Sequence, residues 1–271
     1  MISALPEQFS IHSVHQVVII LLISIVVGFL SGLLGKGGSA IATPALQVFA
    51  GVPPFFALAS PLPSTLPTTI SASWVYKKAH YLLHNKVIVL SILTGIPATL
   101  LGSYASQWVS GNILMIITAL FVCILGISFI IPVLKREPAP ERQEINIAPA
   151  GWKIIVIGLF VGGLSGLLAN SGGVLFAPLF IRTLKLPVKQ ALACSLVVAA
   201  ALAIPGTLAH WWLGHIDWWL VLILSVGSIP GSYLGARLAI SLKNETLELI
   251  FGIMLCLFGA YDIFFTLHPL L

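Results

Sequence analysis

Two glycine-rich stretches carry the residues best suited to chemistry: Gly35-Lys36-Gly37-Gly38-Ser39 and Ala169-Asn170-Ser171-Gly172-Gly173. Each interrupts a strongly apolar run and is followed by a short apolar stretch with a proline, Pro44 or Pro178. A helix that opens after such a break presents unpaired N–H groups and the positive end of its dipole, which favours an anion. Glycines let a ligand approach the backbone closely. Ser39 and Ser171 would add hydroxyl donors and Asn170 an amide. Lys36 is the only cation in either break. An ionisable group at membrane depth is costly and is read as functional by default, the alternative being that it snorkels to the surface. The alternative for the breaks as a whole is close helix packing through small residues. Neither break has the glycine spacing or the Lys-Ser/Thr pair of a nucleotide-binding phosphate loop.

A second concentration of polar groups lies between Phe55 and Trp74, where Ser60, Ser64, Thr65, Thr68, Thr69, Ser71 and Ser73 occur. Ser60, Ser64, Thr68 and Ser71 fall at helical spacing and form one stripe, while Pro61, Pro63 and Pro67 free backbone groups. The related stretch in the second half keeps Cys194-Ser195 and Thr207, with Pro205 as breaker. Hydroxyls in such helices either face a ligand or bond back to their own backbone. The expected substrate-binding set is Lys36, Gly37, Gly38, Ser39, Ser60, Ser64, Asn170, Ser171, Gly172, Gly173 and Ser195. Asp217 reads as a helix cap beside a belt of Trp211, Trp212, Trp218 and Trp219. Asp262 falls near the end of the last apolar segment. His80, His84, His210 and His215 lie near segment ends without ligand spacing, and Cys123, Cys194 and Cys256 show no metal or disulfide pattern. No metal, cofactor or catalytic constellation is expected, so the chain does not read as an enzyme.

The elements that must position these residues follow from composition. Of 271 residues, 58% are apolar and 8% charged, against about 25% charged in a soluble domain. Mean hydropathy is +1.07. Apolar runs of roughly 20 residues, enough to cross ~30 Å of hydrocarbon, recur throughout. They are Val14–Leu34, Ala40–Phe49, Phe55–Trp74, Val87–Val109, Ile113–Leu134, Trp152–Leu168, Val174–Thr183, Val188–Trp212, Trp218–Ala239 and Thr246–Phe265. A soluble enzyme, a nucleic-acid-binding domain and a disulfide-stapled secreted module are excluded. No basic residue precedes the first run, so it does not read as a cleavable signal peptide.

The second and seventh runs are short enough to cross or merely re-enter, and charge decides between these. If all ten cross, every one of the 13 Lys and Arg residues falls on one side. Lys and Arg are retained on the cytoplasmic side, so ten crossings are expected, with both termini on the periplasmic side. The hydrophilic stretch 135–150 then reads as a cytoplasmic linker between residues 1–134 and 151–271.

The two halves repeat. GFLSGLLGKGG from Gly28 answers GGLSGLLANSG from Gly162 at an offset of 134, which also relates Pro44 to Pro178 and Pro53 to Pro187. After a one-residue slip, Ile96-Pro97 and Gly102 answer Ile229-Pro230 and Gly235. Five crossings per half is an odd number, so the second copy enters the membrane in the opposite sense. The expected fold is an all-α polytopic membrane protein of two inverted five-helix repeats. That is an architecture of alternating-access carriers, with substrate near the midplane between the halves. Pro97 and Pro230 are candidate bending points.

At GLLGKGGSAIATPAL (Gly32–Leu46), GLLANSGGVLFAPLF (Gly166–Phe180), GHIDWW (Gly214–Trp219) and GSIPGSYLGARLA (Gly227–Ala239) the chain resembles the sulfite exporter family TauE/SafE. The family's glycine motif usually has an apolar residue where this chain has Lys36, and Gly-Gly where it has Asn170-Ser171. The resemblance implies a secondary transporter of the inner membrane that exports a small inorganic or organosulfur anion, sulfite or a sulfonate foremost. A small-carboxylate carrier and a passive anion channel are the rival readings. The implied partners are that anion and the lipid bilayer, with no nucleic acid and with room for a homo-oligomer.

Overall fold

The computed structural model describes residues 14–35, 39–81, 84–105, 108, 120, 123–131, 151–167, 173–212, 214 and 216–267. Regular structure among them is helical. In chain order the helices are α1 (Val14–Leu34), α2 (Ser39–Ala50), α3 (Pro54–Ala59), α4 (Pro61–Lys78) and α5 (Asn85–Ala105). They continue as α6 (Gly151–Leu167), α7 (Gly173–Thr183), α8 (Val188–Trp212), α9 (Trp218–Ser241) and α10 (Asn244–Leu267). Residues 123–131 are also helical.

Five of the described helices are long and apolar enough to cross a membrane: α1, α5, α8, α9 and α10. The 17 residues of α6 are apolar but fall just short. α4 reaches 18 residues, and its hydroxyls and prolines keep its hydropathy low. The third apolar run is broken: Ser60 separates α3 from α4, because Pro61 and Pro63 cannot supply the amides that would continue one helix into the next. α2 and α7 have 12 and 11 residues, about 18 and 16 Å of helix. The fifth expected segment lies largely, and the linker 135–150 wholly, outside the described residues.

The sequence repeat has a backbone counterpart. Gly51 and Lys185 both have positive φ (62° and 58°), as do His80 and Gly214 (59° and 73°), each pair 134 residues apart. Val52 N–H donates to Leu46 C=O at 3.1 Å, and Leu186 N–H to Phe180 C=O at 3.2 Å. These are the same turn at the same offset.

Small residues set the closest helix contacts. A Cβ added at Gly28 or Gly32 of α1 would overlap the carbonyl oxygens of Ser228 and Ser232 on α9. Residue numbers rise together on the two helices, so α1 and α9 run parallel. The related pair behaves alike: Gly162 and Gly166 of α6 abut the carbonyls of Gly95 and Thr99 on α5. Residues 123–131 instead meet α10 in antiparallel sense, with Gly126 against Gly252 and Cys256, and Phe129 edge-on to Phe251 at 5.4 Å. Small-residue seams of this kind let backbones approach where lipid offers no hydrophobic drive to associate.

Leu93, Leu101, Leu222 and Leu234 stay exposed on the outer faces, where hydrocarbon suits them and water would not. Lys78 lies 3.7 Å from the Trp74 ring centroid, and Arg237 stacks on Tyr233.

Candidate functional site

Around the first glycine break the described geometry is specific. Gly35 ends α1 with φ +64°, and Ser195 Oγ of α8 donates to its carbonyl at 2.5 Å. Leu192 C=O, 2.8 Å from Ser195 Oγ, is the other acceptor within reach of that one proton. One of the expected hydroxyls is therefore seated on the break, although the two are 160 residues apart.

α2 runs back along α1. Gln16 Nε2 near the start of α1 donates to Ala50 C=O at the end of α2, and Ala42 shares a cavity with Ser24 and Val27. The start of α2 therefore lies inside the bundle rather than at its rim. Residues 36–38 and 168–172 are outside the described set, so Lys36, Gly37, Gly38, Asn170, Ser171 and Gly172 have no described position. Ser39 opens α2 and Gly173 opens α7.

The described flanks of the two breaks have different neighbours. Gly35 sits beside Ser195, whereas Gly166, just before the second break, abuts Thr99 of α5. Gly95, one turn before Thr99, packs on Leu202 of α8, and Gly206 packs on Leu62 of α4.

The other two expected hydroxyls belong to different places. Ser60 Oγ accepts from Asp217 N–H at 3.1 Å, at the head of α9. Asp217 itself caps α9, its carboxylate accepting from Leu220 N–H at 3.0 Å. Ser64 lies deeper, in a cavity about the size of one water between α1, α2, α4 and α9, together with Ser24, Thr65, Thr68 and Ser228. Ser60, Ser64 and Ser195 are thus strung along the bundle rather than gathered in one compartment.

Sequence reasoning named Ser64 but neither Ser24 nor Ser228, which line the same cavity. Ser24 and Ser228 sit on helices far away in the chain. Their signal was only their place in runs of small residues, which reads as packing. The side chain of Asp262 is not described. Among the described residues, no three His, Cys, Asp or Glu side chains gather as metal ligands.

The comparisons settle what kind of protein carries this geometry. The family described as "Sulfite exporter TauE/SafE" matches residues 20–261. The chain belongs to the TauE/SafE family. A similar protein, "Probable membrane transporter protein YunE" of Bacillus subtilis, is 26% identical over 266 residues, covering 91% of this chain and 97% of that one. A "Probable membrane transporter protein" of Xylella fastidiosa is 28% identical over 245 residues, 88% of this chain and 91% of its own. One from Methanocaldococcus jannaschii is 23% identical and covers 94% of its own length. No solved structure matches the chain. This TauE/SafE member is a helical, multi-pass membrane transporter.

Proposed function

We propose that this TauE/SafE member is a secondary transporter that exports a small oxyanion, sulfite or a short organosulfonate, across the inner membrane by alternating access. The observation that carries the reading is an exchange of partners between the halves. The first helix of each half, α1 or α6, packs in parallel on the fourth helix of the other, α9 or α5, through related glycines. Two five-pass copies entering in opposite senses produce this exchange. The antiparallel contact of 123–131 with α10 supports the same relation. There Cys123 Sγ and Cys256 Sγ each lie 3.8 Å from the other's carbonyl oxygen, and the two cysteines are 133 residues apart. Under this reading residues 1–134 and 151–271 are the copies, 135–150 is a cytoplasmic linker, and both termini face the periplasm.

The anion meets the starts of α2 and α7. Lys36, Gly37, Gly38 and Ser39 serve the first, and Asn170, Ser171, Gly172 and Gly173 the second. Ser195 braces the first break, and Ser60 lies on the outer part of the route. Rocking of the halves offers the two helix starts to the two faces of the membrane in turn.

Purified protein in liposomes tests the proposal. Sulfite transport is expected to saturate, to show counterflow and to exclude lactate. Equal lactate transport would favour a carboxylate carrier, and unsaturable ohmic current a channel. Lys36→Ala is expected to weaken sulfite affinity about tenfold, the worth of one charge-assisted hydrogen bond.

A further inference from the structure

The heads of α5 and α9 make one contact twice. Asp217, just before α9, donates its N–H to Ser60 Oγ at 3.1 Å. His84, just before α5, turns its N–H to the Cys194 sulfur. Both residues also open their own helices, His84 C=O accepting from Ile88 N–H and Asp217 C=O from Val221 N–H. Residue 194 answers residue 60 at the offset of 134, and residue 217 answers residue 84 at the slipped offset of 133. Each contact joins the first half of the chain to the second.

The side chains then diverge. The Asp217 carboxylate turns back to its own helix, where it accepts from Leu220 N–H. The His84 ring instead reaches across the halves, its Nε2 lying 2.7 Å from Gln190 Oε1 on α8. Beside Gln190, Lys189 donates to Ile240 C=O at the tail of α9, at 2.7 Å, and lies 5.7 Å from the Tyr81 ring centroid. Phe55 and Phe56 stand where Lys189 and Gln190 do, and neither side chain can make such a bond. The extra ties sit over the first glycine break. Ser195, next to Cys194, is bonded to Gly35 C=O, and both residues are fully buried. Ser195 stands about 10 Å of helix inside the start of α8, with Lys189 and Gln190 in the turn that covers it.

We propose that the His84–Gln190 contact, stiffened by Lys189, is a latch that closes this end of the bundle over Gly35 and parts when the halves separate there. A side chain of one half holds a side chain of the other, so relative movement at this end must break the bond. The inference rests on the carrier reading for its purpose, but closure is measured without transport.

Cys194 lies beneath the latch and reports on it directly. In a Cys123→Ser, Cys256→Ser background it is the one cysteine left, and its alkylation by a charged, hydrophilic thiol reagent is timed on the purified full-length protein. A buried thiol reacts through the opened form, so the rate follows the open population. Labelling of the background is expected to be slow, and Gln190→Ala to speed it about tenfold, the worth of one hydrogen bond. His84→Ala should do the same, and the double variant no more than either, because all three break one bond. Thr94→Val, whose hydroxyl bonds Leu90 C=O within α5, should label as the background does. Prompt labelling of the background overturns the proposal, since that end is then open. Unchanged labelling in both single variants overturns it too, as does an additive gain in the double variant. Slow labelling that Gln190→Ala speeds, in protein that carries no sulfite, would preserve the latch and sink the anion reading instead.

Discussion

Two regions of the molecule share one backbone arrangement and differ in what fills it. In the first, α1, α4 and α9 bring Ser24, Ser64, Thr68 and Ser228 to the wall of one small cavity. At the related positions of the second region stand Gly158 on α6, Val198 and Leu202 on α8 and Gly95 on α5, of which Gly95 packs on Leu202. Ala42 beside the first cavity corresponds to Phe176, which is fully buried, as are Val198 and Leu202. The glycine seams are alike, so the helices approach alike, but buried apolar side chains stand at Val198 and Leu202 where the first region has the hydroxyls of Ser64 and Thr68. Backbone geometry has been kept where two helices must touch, and side-chain chemistry has diverged where there was room for it.

Disrupting a seam is expected to have the largest effect, and an equal one in both regions. Gly32→Ile on α1 and Gly166→Ile on α6 each drive a branched side chain into a carbonyl oxygen of the facing helix. Each is expected to cost more than about 4 kcal/mol and to remove the monodisperse peak in size-exclusion chromatography. The fillings should then separate the two regions. Leu202→Ala opens a cavity against Gly95 and is expected to destabilise by about 3 kcal/mol. Thr68→Val at the related position loses hydrogen bonds but little volume, about 1 kcal/mol. Chemical denaturation in detergent compares them, and equal losses would mean that the two spaces are filled alike. The smallest effect is expected at Asp217→Ala, about 1 kcal/mol for the lost cap of α9, with anion transport retained.

Much of this was legible in the sequence because membranes restrict the choices. Helix ends fell within a few residues of the apolar boundaries, and α9 begins at Trp218 as expected, because Asp217 is a capping type placed just before an apolar run. The one-dimensional pattern also showed the repeat and the two short helices. It could not show that Ser64 faces Ser24 and Ser228. Helical spacing relates residues a few positions apart, whereas that cavity depends on parallel helices joined through glycines some 200 residues apart. Hydroxyl polarity was equally hidden. Ser64 reads equally as a ligand donor or as a back-bonded hydroxyl, and only the structure shows its Oγ 2.9 Å from Pro61 C=O. The split at Ser60 was signalled by three nearby prolines, yet hydropathy alone merged α3 with α4.

The opposite orientation of the two halves has its most direct test at the turns around His80 and Gly214, which share positive φ and the 134-residue offset. In a background with Cys123, Cys194 and Cys256 replaced, His80→Cys and Gly214→Cys are labelled in intact cells with a membrane-impermeant thiol reagent. Gly214→Cys should react at once from outside, and His80→Cys only after the membrane is permeabilised. Labelling of both positions from the same side would show that the halves point the same way, and the account would fail.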